Sequence, residues 1–64
     1  MENNILTLAY NLLQELGIRR VKVFPDHFEI KYETDNQAVI AYGSTEEELV
    51  ENFYYLYQEL RDRE

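Results

Sequence analysis

From Ser44 onward the chain is written for one amphipathic helix, and no other stretch limits the fold as much. Ser44 with Glu47, or Thr45 with Glu48, supplies a capping box at its start. Glu46, Glu47 and Glu48 fall in the first turn, where the helix dipole favours anions. Leu49, Phe53, Leu56 and Leu60 then recur at i, i+4, i+7 and i+11, with Val50 and Tyr57 widening the stripe. A stripe like this must be buried, so the spacing assigns Leu49, Phe53, Leu56 and Leu60 to a core that the earlier residues have to complete.

Those residues supply a second helix and three strands. Asn3 and Asn4 are both suited to an N-cap, and Ile5, Leu8, Ala9, Leu12, Leu13 and Leu16 follow at helical spacing. Gly17 stands where a left-handed residue ends a helix, so the pattern predicts a helix over residues 4–16. From Ile18 to Phe24 the period changes to two, and Pro25-Asp26-His27 breaks the run. Phe28, Ile30, Tyr32 and Thr34 then alternate with Glu29, Lys31 and Glu33. Asp35-Asn36 suits a two-residue hairpin loop, since both residues tolerate positive φ. Gln37 to Tyr42 returns as a third strand. A two-residue loop pairs Tyr32 with Val39 and Ile30 with Ala41, leaving Ile40 and Tyr42 on the solvent face. A three-residue loop shifts the register by one and buries them. The shorter loop is the expectation carried forward. The fold class is therefore α+β: a two-layer α-β-β-β-α domain with a three-stranded antiparallel meander and both helices packed on one face.

Size sets the next constraint. Sixty-four residues make a single domain, spanning 1–64, near the lower limit for folding alone. There is no cysteine, which removes disulfides and thiolate metal sites, and the single histidine builds no zinc site. With 45% apolar residues, six tyrosines and three phenylalanines, the composition is that of a folded domain and not of an acidic tail. No apolar run reaches membrane-spanning length, and no basic flank precedes an apolar segment at the N-terminus, so a cytoplasmic protein without a signal peptide is expected.

Charge is distributed unevenly. Residues 1–32 hold four acids and four bases, whereas residues 33–64 hold nine acids and two bases, so the net −7 lies wholly in the second half. A field of that sign repels phosphate backbones, which excludes direct nucleic-acid binding and favours a basic protein surface.

On the outward side of the last helix, Glu47, Glu51, Gln58 and Asp62 share one sector, flanked by Glu48, Tyr54 and Tyr55. Glu47 and Glu51 stand about 6 Å apart along the axis, an interval at which carboxylates imitate phosphates. Tyrosine is favoured at interface hot spots, so Tyr54 and Tyr55 are read as anchors beside the acids. The competing explanation is a plain solvated face. Arg61 and Arg63 complement the helix dipole. Arg19, Arg20, Lys22 and Lys31 form a basic patch, in which Arg20, Lys22 and Lys31 are expected to pair across strands with Glu29 and Glu33. His27 beside Asp26 has no nucleophile or second base to work with, so no enzyme is read, and no cofactor.

Two resemblances follow from these residues. The αβββα order is similar to that of the double-stranded RNA-binding domain, whose second helix begins with lysines that grip phosphate. Here Ser44-Thr45-Glu46-Glu47-Glu48 inverts that charge, so the resemblance stops at topology. The chain also resembles, over roughly residues 4–60, the small acidic type II-A anti-CRISPR proteins of phages that act as DNA mimics. An Asn-led helix, a meander with an Asp-Asn hairpin, and the acidic start from Ser44 to Phe53 carry that likeness. It implies a protein that occupies the basic groove of an RNA-guided nuclease, where arginines that read duplex edges would meet carboxylates. The expected function is thus a non-enzymatic protein-binding module using Glu47, Glu48, Glu51, Tyr54, Tyr55 and Asp62. The alternative is a structural homodimer that buries what so small a core leaves exposed.

Overall fold

Asn4 and Gly17 bracket the first helix. In the computed structural model, which describes residues 4–18 and 21–62, α1 runs Ile5–Leu16. The Asn4 side chain accepts from Thr7 N–H at 3.2 Å, which makes Asn4 the cap and not the first helical residue. Gly17 takes φ 77°, while Gly17 N–H reaches Gln14 O and Ile18 N–H reaches Leu13 O. Those two bonds form the Schellman closure that the glycine makes possible. Asn3, the other expected cap, lies outside the described residues, as do Arg19, Arg20 and Arg63.

Three strands follow: β1 (Lys22–Val23), β2 (Phe28–Glu33) and β3 (Ala38–Gly43), antiparallel in the order β1-β2-β3. β1 is much shorter than the Ile18–Phe24 run predicted for it. Ile18, Val21 and Phe24 lie outside any strand, because among the described residues of this run only Lys22 and Val23 find partners, Glu29 and Phe28. Phe24 N–H closes on His27 O around Pro25-Asp26. Between β2 and β3 the register pairs Ile30 with Ala41 and Tyr32 with Val39, as the two-residue loop requires. The loop is made differently from the expectation, however. Neither Asp35 nor Asn36 has positive φ. Thr34 leaves the strand alternation and closes the turn instead. Its N–H donates to Gln37 O, and its hydroxyl accepts from the N–H groups of Asn36 and Gln37.

The last helix, α2, spans Glu46–Asp62. It lies on the sheet face that carries Ile30, Val39 and Ala41, and α1 packs against α2 without approaching any strand backbone. Both helices share one core with that face: Ala9, Leu13, Ile30, Val39, Ala41, Leu49, Val50 and Phe53. The result is an α+β fold with the sheet as one layer.

Two leucines assigned to the interior by spacing are not buried there. Leu56 is 38% exposed and Leu8 is 42% exposed. In α2 the buried positions are Leu49, Val50 and Phe53, with Tyr57 and Leu60 half-buried. The stripe is therefore turned toward Val50, because α2 must meet the sheet on one flank and α1 on the other. In α1 the inner positions are Ala9 and Leu13, flanked by Leu6, Leu12 and Leu16. A helix with one neighbour buries a narrow stripe, and Leu8 falls outside it.

Candidate acidic face and its surroundings

The start of α2 resolves the two capping options. Thr45 Oγ1 accepts from Glu48 N–H at 3.1 Å, and Glu48 Oε1 accepts from Ser44 N–H at 2.8 Å. Thr45 and Glu48 are the capping pair, with the glutamate reaching one residue further back than usual. One carboxylate oxygen of a proposed site residue is therefore engaged within its own helix.

Successive residues turn about 100° around a helix, which sorts α2 into flanks. Opposite the buried Phe53 lie Glu48, Glu51, Tyr55 and Asp62, with Tyr55 54% exposed. Glu47 and Tyr54 fall toward α1. Tyr54 is half-buried, packed on the core, and meets Tyr55 edge-to-face at 5.8 Å. Asn52, Leu56 and Glu59 fall toward β3. Of the six residues singled out in the sequence, the fold thus groups Glu48, Glu51, Tyr55 and Asp62 on one outward row. Glu47 borders that row, and Tyr54 backs it from within. Among the described residues, acid–base side-chain contacts occur at Asp26–His27, a hydrogen bond, and at Lys31–Glu33, an ion pair, and neither involves α2.

The α1 flank has an electrostatic signature. Tyr10 rests near the start of α2, where partial burial, and then the carboxylates of Glu46 and Glu47, raise its phenol above the ordinary tyrosine range. Both causes penalise a phenolate there.

On the far side of the sheet, Lys31 pairs with Glu33 at 3.4 Å along β2 itself. The expected cross-strand pairs involving Lys22 do not form among the described residues, and at these exposures the Lys31–Glu33 pair contributes little to stability. His27 Nδ1 meets Asp26 Oδ1 at 2.6 Å. The hydrogen bond from His27 is the main reason that the Asp26 carboxyl is held below its usual value. The imidazole stacks on Phe24 at 4.6 Å and meets Tyr42 edge-on at 5.6 Å. Spacing alone does not reveal this aromatic cluster, because it forms only once the β1–β2 turn folds onto β3.

One further contact escapes sequence reasoning. Asn52 Nδ2 donates to the Tyr42 carbonyl at 2.7 Å, tying α2 to the outer edge of β3. Below it, Ala38, Val39, Ile40, Leu56, Glu59 and Leu60 line a groove of about 240 Å³ between that edge and the helix.

Among the described residues, no group of three or more metal-binding side chains converges and no helix is long and apolar enough to cross a membrane. No family model, curated protein or solved structure matches the chain.

Proposed function

We propose that this chain is a non-enzymatic protein-binding module that docks a basic surface on the outer face of α2. The supporting observation is the outward row Glu48, Glu51, Tyr55 and Asp62, in which carboxylates surround a half-exposed aromatic ring and none is ion-paired among the described residues. Carboxylates in that state offer charge-assisted bonds to arginine, and the Tyr55 ring supplies contact area at little entropic cost. Long-range attraction adds to the association rate. In its most specific form, following the resemblance to type II-A anti-CRISPR proteins, the partner is an RNA-guided nuclease whose duplex-reading groove the row fills in place of DNA.

The test is competition. A purified type II-A nuclease loaded with guide RNA is titrated with the chain against labelled duplex carrying its recognition motif. Displacement that fades with rising salt supports the reading. Glu51→Lys combined with Asp62→Lys, shown to be folded by circular dichroism, should abolish it. Equal displacement by the reversed variant, or none by the parent chain, removes this partner.

A further inference from the structure

β3 is an edge strand, and its outer edge is open. The N–H and C=O of a strand residue point to the same side, and the side alternates along the chain. Gln37 O faces β2, where it accepts from Thr34 N–H, and Tyr42 O faces outward, where it accepts from Asn52. Ala38 and Ile40 are in phase with Tyr42. Their N–H and C=O groups therefore point away from β2, and neither residue has a backbone partner there among the described residues. The opposite edge of the sheet is different: β1 is two residues long, carries Lys22 and stops before Pro25, all of which discourage pairing. β3 has six residues, no proline and no charge.

We propose that β3 pairs with β3 of a second copy of this chain, antiparallel about a two-fold axis through Ile40, making one continuous sheet from two three-stranded ones. Charge selects the occupant. In a chain of net −7, most faces repel their own image, but Asn36 to Thr45 contains no acid or base. An isologous contact needs a surface that tolerates itself, and this edge does.

The register follows from the geometry. Ile40 faces Ile40 of the other copy as a hydrogen-bonded pair, each N–H donating to the other's C=O. Tyr42 faces Ala38, with the Tyr42 N–H donating to the Ala38 carbonyl. The Tyr42 carbonyl remains with Asn52. On the open face the large Tyr42 ring, 54% exposed, covers a small alanine, and the two Ile40 side chains, each 40% exposed, meet. On the helix side the groove brings Leu56, the leucine that α2 leaves exposed, toward its own image. Among the described residues, Glu59 at the rim is the carboxylate that approaches its counterpart. Salt screens that repulsion, so pairing strengthens as salt rises, the opposite of docking through the acidic row. The two contacts use different sides of α2, its outer face and its β3 flank, and either stands without the other.

The full chain is examined by sedimentation velocity from micromolar to millimolar concentration at low and high salt, beside Ile40→Lys. The expected result is a monomer–dimer equilibrium favoured by salt, weakened by at least ~30-fold in the variant, where two ammonium groups would face each other at the axis. Amide exchange supplies the locating readout: the outward-facing Ile40 N–H should become protected as concentration rises. A monomer throughout, a dimer indifferent to Ile40→Lys, or an Ile40 amide that exchanges freely in the dimer overturns the proposal.

Discussion

Gly43 and Leu49 meet backbone to backbone. A Cβ added at Gly43 would overlap Leu49 N and stand 2.6 Å from Leu49 Cα. Only Ser44 and Thr45 separate the end of β3 from the start of α2, so the helix leaves the strand at once and lies down on it. The contact has no flexible side chain that could swing aside. Gly43→Ala should therefore destabilise the fold by ~3 kcal/mol, the upper range for an overpacked interior, as read from urea unfolding. A variant as stable as the parent would mean that α2 can tilt away from β3.

The cap at Thr45 makes a sharper comparison. Thr45→Ala removes the acceptor for Glu48 N–H and should cost about 1 kcal/mol. Ser44→Ala leaves the Ser44 N–H to Glu48 bond intact, and should stay within about 0.5 kcal/mol of the parent. Equal losses at the two positions would contradict the capping assignment.

Tyr10 should be distinguishable by its titration. Folding raises its pKa, so the neutral phenol is favoured in the native state. The associated stability is fully present below the unfolded value of 10.0 and is lost as pH rises through the higher native value. Ring-resonance titration should show Tyr10 ionising above that value. Glu46→Gln with Glu47→Gln should bring it part of the way back, since burial is the larger cause. No movement in the double variant would remove the carboxylates from the explanation.

Asp26 behaves oppositely. Its carboxyl is held below the ordinary 3.8, chiefly by the hydrogen bond from His27. The stability it contributes is present above 3.8 and lost as pH falls through the lower native value. His27→Ala should raise the Asp26 titration part of the way to its ordinary value, since a backbone hydrogen bond also lowers it, and should remove the ring stacked on Phe24. An unchanged Asp26 midpoint in that variant would show that the 2.6 Å contact does not persist in solution.

The facing of β2 could be read in advance because it alternates without interruption from Phe28 to Glu33. Its register with β3 stayed open in the sequence, because either loop length turns an apolar set inward, Val39 with Ala41 or Ile40 with Tyr42. The structure takes the two-residue loop that was the expectation. The outward position of Ile40 and Tyr42 followed from the same pairing. Leu56 and Leu8 were misplaced because periodicity gives the direction of an apolar stripe but not the width of the surface it meets. That width depends on how α2 divides itself between the sheet and α1. The loop at Asp35-Asn36 had the expected length but a different origin, since the Thr34 hydroxyl supplied bonds that a local φ preference does not reveal. On the candidate face, helical geometry was enough to place Glu48, Glu51, Tyr55 and Asp62 together. Tyr54 looked equivalent to Tyr55 in sequence, and only the position of α1 separates them. Gly43 is a packing requirement that its place between β3 and α2 does not reveal.

Because α1 touches α2 and no strand backbone, its contribution to the molecule is one of timing as well as packing. β2, β3 and α2 are neighbours in sequence and in space, so their contacts close over short loops and form fast. Docking α1 closes a loop that contains the whole meander, at the greatest entropic cost in the chain. From these contacts α1 is expected to seat last and to open first, exposing Ala9 and Leu13 while every strand pair stays intact. Amides of α1 should accordingly exchange through that partial opening, and those of Ile30 and Phe53 only when the whole domain unfolds.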